Sequence, residues 1–212
     1  TVPRHFDITF LIMNYVKQLA LISTEILGSL SEKHAAREVS IQASREIIRL
    51  SANSIRCIHR HEMAEALNLS TLAGEKLFKI KDLVRTNHAD LYFTGYIQDA
   101  QKEYSEARVC HALISDSEIP SFAELGVEIA PYLNGIAEAA SELRRFILDS
   151  LRKDDDTRSE ELMGKMDEAY NMMTNIDFPD ALTGGLRRTT DQLRAVLERT
   201  RGDLTMALRQ RR

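Results

Sequence analysis

The sequence predicts an all-α protein. Apolar residues recur every three or four positions along its length, Gly and Pro are sparse, and no window alternates apolar with polar residues ahead of a tight-turn pair. Punctuation divides the pattern into about seven helices, with boundaries set to ~2–4 residues. The first, 6–30, carries the most apolar run, ITFLIMNYVKQLALISTEIL. Asn14, Lys17, Gln18 and Glu25 interrupt that run, so it is expected to be a buried helix and no membrane span. The second, 33–64, is studded with Arg37, Arg45, Arg49, Arg56 and Arg60 and ends in CIHRHE, whose His59 and His61 read as surface residues. The third and fourth, 69–86 and 89–115, are amphipathic without an internal Pro. Pro120 and Pro131 then bracket a loop with room for one short turn, and Pro131 suits the first position of a fifth helix, 131–152. A sixth, 157–175, ends before NIDFPD and the pair Gly184-Gly185, which separate it from the seventh, 185–209. No linker is long or polar enough to divide domains and no fixed repeat occurs, so a single-domain helical bundle spanning 1–212 is expected, with 1–32 as its apolar N-terminal helix.

Composition limits the function classes. With 43% hydrophobic and 28% charged residues the chain can bury a core. Cys57 and Cys110 stand far apart, without CxxC or Cys/His clustering, which argues against a disulfide framework or structural zinc and for a cytoplasmic setting. A net charge of -4 excludes a protein that coats nucleic acid with its whole surface. Basic residues are nevertheless grouped: from Gly185 onward eight Arg face three acidic residues, either a solvated helix with a basic end or a phosphate-facing surface.

Two acidic pairs carry the chemistry. Glu103 and Glu106 lie one turn apart in AQKEYSEARVCH, on the stripe Tyr96, Asp99, Glu103, Glu106, Cys110, Leu113. Glu138 and Glu142 form an i, i+4 pair roughly opposite Leu133, Ile136, Ala140, Leu143 and Ile147, which should pack inward. Like charges at this spacing cost a helix a few tenths of a kcal/mol, a sign that a hard divalent cation would reverse. Solvated helix faces are the plain alternative, with Arg145 answering Glu142 at i+3. A ferritin-like di-iron site needs Glu-x-x-His, and none of the six histidines has a Glu three residues before it. No Gly-rich phosphate loop, G-x-S-x-G or HExxH occurs either.

Two segments resemble a known family. SIQASREIIRL (40–50) is similar to the long early helix of the translin superfamily, and PYLNGIAEAASELRRFILDS (131–150) to its most recognisable segment, through Tyr132, Leu133, Gly135, Glu142, Leu143, Arg145 and Ser150. The likeness runs with gaps from about residue 33 to 208. Within the superfamily, Glu103-Tyr104-Ser105-Glu106-Ala107 and Glu138 resemble the acidic set of the translin-associated factor X branch, which translin itself lacks. That branch has Asp where this chain has Glu138. The resemblance implies a translin-like bundle and a Mg²⁺-dependent endoribonuclease, with Mn²⁺ as a substitute, acting on single-stranded RNA, with single-stranded DNA as a second ligand. It implies Glu103, Glu106 and Glu138 as catalytic residues and metal ligands, Glu142 as a fourth ligand or a partner behind them, and Arg145, Arg37 and Arg45 as nucleic-acid contacts. It further implies a closed, hollow homo-oligomer, typically an octamer, with the acidic centre inside. The alternatives are a translin-like nucleic-acid-binding protein without turnover and a helical scaffold with solvated carboxylates.

Overall fold

The computed structural model describes residues 8–210, with side-chain detail from residue 12, so residues 6 and 7 of the first expected helix, and Arg211 and Arg212, lie outside the described residues. Among the described residues there are nine helices and no strand, six of them long and three a single turn. The long ones are α1 (Ile8–His59), α2 (Met63–Arg85), α4 (Gly95–Ser115), α6 (Ile129–Leu151), α7 (Ser159–Thr174) and α9 (Leu186–Gln210). The single turns are α3 (Ala89–Tyr92), α5 (Phe122–Leu125) and α8 (Asp180–Thr183).

The two helices expected at 6–30 and 33–64 are one helix of 52 residues. The polar cluster Ser31-Glu32-Lys33 contains no Gly or Pro to break the ladder, and the Ser31 hydroxyl donates to the Leu27 carbonyl within the helix. The real break falls at Arg60–Glu62, where His61 adopts φ 63° and the Glu62 amide donates back to the Cys57 carbonyl. α2 therefore starts at Met63 instead of 69. The helix expected at 89–115 is interrupted at Phe93-Thr94 and resumes as α4. α5 is the short turn anticipated between Pro120 and Pro131, closed by a reciprocal Ser121–Glu124 capping box. Pro131 sits third in α6, still within the turn whose N–H groups need no helical partner.

Burial corrects a second expectation. The apolar N-terminal helix is not buried within the chain: residues 12–32 are exposed, including Ile12, Val16, Leu19, Ile22, Ile26 and Leu30. α1 meets the body only at its C-terminal half, where Lys33 pairs with Asp90 and Ala36, Ser40, Ser44, Ile47, Leu50 and Ser54 turn inward at helical spacing.

Two apolar clusters form the body. One joins α1, α2 and α4 through Ile47, Leu77, Ile80, Ile97 and Tyr104. The other joins α4, α6, α7 and α9 through Val109, Leu143, Ile147, Leu162, Met166, Leu193 and Leu197. The predicted inward stripe of α6, Leu133, Ile136, Ala140, Leu143 and Ile147, lies in this second cluster. α4 contributes to both clusters, so most of its faces are covered, and α6 lies along it. Gly135 sets how close the two helices come. A Cβ there would stand 2.8 Å from the Lys102 carbonyl, 2.8 Å from Ser105 Cβ and 3.0 Å from the Glu106 amide, closer than non-bonded atoms tolerate.

Candidate metal centre

The close α4–α6 contact brings the acidic residues of both helices together. Glu103 and Glu106 come from α4 and Glu138 from α6, one helical turn beyond Gly135. Each offers a carboxylate oxygen, and the three oxygens lie within 4.8 Å of one another. Glu106 is 8% exposed, whereas Glu103 and Glu138 are half-buried at the edge of solvent. A hydrophobic floor lies beneath them, since Cys110 and Ala107 on α4 and Ala139 on α6 are buried.

Electrostatics follow from that crowding. Burial, then the charges of Glu138, Glu103 and Glu142, push the Glu106 carboxyl up to about 9. The Glu106 side chain forms no ion pair among the described residues, and its burial among three other carboxylates favours the protonated form in the metal-free protein. Lys102 is the local cation. Its Nζ lies 2.6 Å from Glu138 Oε2 and 3.2 Å from Glu103 Oε1, bridging the two helices. Burial opposes the lysine's charge, but Glu138 and Glu103 outweigh it and hold the ammonium above its ordinary range.

Oxygen donors only, three carboxylates converging from two rigid helices and one of them deprived of water suit a hard divalent cation better than a thiophilic one. Magnesium-sized ions commonly take a few carboxylates and leave the remaining positions to water and substrate oxygens, and Glu103 and Glu138 face the solvent side that would supply them. The donor set thus fits such an ion.

The other expected site residues lie differently. Glu142 turns away from the three clustered oxygens: its Oε2 sits 2.7 Å from Nε2 of His59. His59 is no surface residue, with 4% of its side chain exposed, because α1 packs against α2 and α4 and turns His59 inward toward Glu142 of α6. Arg145 does not answer Glu142. It is 62% exposed and its nearest carboxylate is Asp149, one turn on, at 3.9 Å. Arg37 and Arg45 are exposed along α1, Arg37 paired with Glu38, and neither forms an ion pair with the acidic cluster. Sequence reasoning missed Lys102 and His59. The signal for Lys102 was its place directly before Glu103; for His59 it was the buried Cys57 and Ile58 of the same turn.

A cleft opens beside the centre. Its volume is about 930 Å³, and Lys102 and Glu138 line it. The first turn of α9 lines it as well, positioned by Gly184 and Gly185 at φ 61° and 81°, a backbone that side-chain-bearing residues rarely adopt. Asn134 ties that turn to α6, donating to the Thr183 carbonyl at 2.9 Å and accepting from the Thr189 hydroxyl at 2.5 Å.

Comparison with known proteins bears on the chain as a whole. No protein-family model matches the chain. An uncharacterized protein of Methanocaldococcus jannaschii, MJ0175, is 32% identical over 202 residues, which covers 92% of this chain and 87% of that one. The crystal structure of AfC3PO superposes with a TM-score of 0.80 at 34% identity, covering 89% of this chain and 97% of that chain. AfC3PO in complex with duplex RNA gives 0.79 at 33% identity, over 89% and 97% of the two chains. Apo-NeC3PO gives 0.73 at 21% identity over 89% and 96%, a likeness of fold.

Proposed function

We propose that this chain, which belongs to the translin superfamily, is a metal-dependent endoribonuclease of the translin-associated factor X type, acting on single-stranded RNA. One observation carries the reading: Glu103, Glu106 and Glu138 converge from two helices into a donor set suited to a hard divalent ion, Mg²⁺ or Mn²⁺. When bound, such an ion supplies Lewis-acid stabilisation to a phosphodiester under attack by water.

The remaining roles belong to the chain's own residues. Glu103, Glu106 and Glu138 would hold the ion, and Glu106 would release its proton to do so. His59 fixes Glu142 behind them, so the fourth carboxylate adds negative charge without crowding the donor oxygens. Lys102 keeps the metal-free centre from repelling itself apart, and its long flexible arm lets it yield that position. Arg145 lies two helical turns from Glu138 and therefore on nearly the same face of α6, free to meet a phosphate, while Arg37 and Arg45 offer backbone contacts further along α1. The complex of AfC3PO with duplex RNA supports RNA as the ligand class. No helix among the described residues is long and apolar enough to cross a membrane.

The test is direct. Purified protein should cut an unstructured single-stranded RNA with Mg²⁺ or Mn²⁺ and stop on addition of EDTA; cutting that persists in EDTA, or none with either ion, sinks the reading. One observation favours a second reading, binding without turnover: Lys102 already neutralises Glu103 and Glu138. That reading predicts RNA affinity indifferent to EDTA and no product.

The exposed apolar half of α1 supports assembly, since a lone chain would leave ten large hydrophobic residues between Ile12 and Leu30 in water. Light scattering should return a mass near eight times the 24.1 kDa chain. A monomer mass at micromolar concentration would remove the oligomer from the proposal.

A further inference from the structure

The cleft beside the acidic centre is lined by chemically unlike residues. Glu138 and Lys102 of the centre line it together with Asp99 and Glu128. Arg188, in the first turn of α9, lines it too, with Gln192 one turn along the same face. Arg188 forms no ion pair among the described residues, whereas its neighbour Arg187 is paired with Asp177 and does not line the cleft. Phe93, in the break between α3 and α4, also lines it, with 64% of its surface in water. A cavity of about 930 Å³ falls in the class that takes a small molecule or one or two nucleotides, not a base-paired duplex.

An exposed aromatic face, an arginine without a carboxylate partner and an amide-bearing glutamine around one cavity match the three surfaces of an unpaired nucleotide. Aromatic rings stack on any base, a free guanidinium takes two phosphate oxygens at once, and Gln can bond a base edge or a sugar hydroxyl. The position matters as much as the composition. Because Lys102 and Glu138 belong both to the acidic centre and to the wall of the cleft, a strand whose scissile phosphate lies at the carboxylates continues directly into it.

We infer that this cleft is the subsite for the nucleotide next to the scissile phosphate, with Phe93 stacking on its base, Arg188 holding its far phosphate and Gln192 bonding its edge. The inference rests on the endoribonuclease reading and gives its preference for single strands a place in the fold: the flanking base must be unpaired to enter this cleft.

The experiment uses the full-length oligomer and a five-nucleotide RNA carrying 2-aminopurine at each position in turn, with Ca²⁺ added. At one position, binding should quench the fluorescence by stacking, and Phe93→Ala should abolish that quench. Phe93→Leu keeps the bulk and should abolish it too. Arg188→Ala should weaken binding about tenfold, and Arg187→Ala should leave it within about twofold. Melting temperature and light-scattering mass of every variant show that fold and assembly survive; if Phe93→Ala fails there, Phe93→Leu and Arg188→Ala still decide. Binding and cutting unchanged in both Phe93→Leu and Arg188→Ala overturn the subsite while leaving the nuclease intact. A wild type that binds the probe through Phe93 and Arg188 yet never cuts RNA with Mg²⁺ or Mn²⁺ overturns the nuclease and keeps the subsite.

Discussion

Glu106→Gln yields a protein that folds more stably than the wild type above neutral pH and no longer cuts RNA. The folded-state pKa of Glu106, about 9, stands far above its ordinary 4.5. Between those values the folded chain binds a proton that the unfolded chain has released, so the metal-free wild type loses stability as pH rises through this window and is most stable below it. Gln retains shape and helix propensity but titrates nowhere, so the decline flattens. The gain over wild type at pH 8 should be on the order of 2–4 kcal/mol in chemical denaturation without metal. The same residue sets a pH dependence for the ion: because Glu106 must give up its proton to act as a ligand, Mn²⁺ affinity should rise from pH 6 to pH 8 with proton uptake by the buffer. Cleavage by Glu106→Gln should fall by at least about a hundredfold, as expected when a charged ligand of a hard cation is removed. Retained cutting would dismiss this cluster as the catalytic centre. A wild-type stability that does not fall with pH would mean that Glu106 is ionised, and with it the pH-dependent affinity would go.

Gly135→Ala should cripple the same centre without touching a carboxylate. The added methyl would meet the Lys102 carbonyl and Ser105 Cβ at 2.8 Å, and both belong to a helix packed on most of its faces. Neither can retreat as a flexible side-chain tip would. Overpacking of this kind costs about 1–3 kcal/mol, read as a lower denaturation midpoint, and the relief available is to move α6 away from α4. That movement widens the gap between Glu138 and the Glu103–Glu106 pair, so Mn²⁺ affinity should drop about tenfold or more, in the range seen when ligand positioning is disturbed. Gly164→Ala is the control: nothing lies within 4 Å of its would-be Cβ, and helix propensity favours alanine. Wild-type metal affinity in Gly135→Ala would show that the helix separation does not set the site.

Periodicity makes the acidic pairs visible, because Glu103 and Glu106, and Glu138 and Glu142, are each one turn apart and helical spacing alone puts each pair on one side of its helix. Their meeting is another matter. It depends on a glycine whose role is to be absent of side chain, and a lone Gly in a helical pattern reads only as a weak point. Lys102 is hidden for a related reason: consecutive residues on a helix point about 100° apart, and only a long arm lets it double back to Glu103 while reaching Glu138 on another helix. His59 is flanked by Arg60 and His61, so composition suggests a surface, whereas the packing of α1 on α2 and α4 buries it, with its ring against Glu142. The N-terminal run shows the limit most plainly. Hydropathy reports that Ile12 to Leu30 avoid water but cannot say whether the same chain or another surface shields them.

That detached half of α1 offers a gauge of whatever covers it. With 52 residues, α1 extends about 78 Å, and residues 12–32 of it touch nothing else in the chain that would remove them from water. Isolated helical turns of that kind open and close rapidly, so their amide protons should trade with deuterium orders of magnitude sooner than those of α4 and α6. Any slowing measured in solution must then come from a second surface, and its size gives the free energy of that cover residue by residue. In diluted protein the protection of residues 12–32 should vanish while that of α4 and α6 persists, which makes one end of a single helix a reporter of association and the other a reporter of folding.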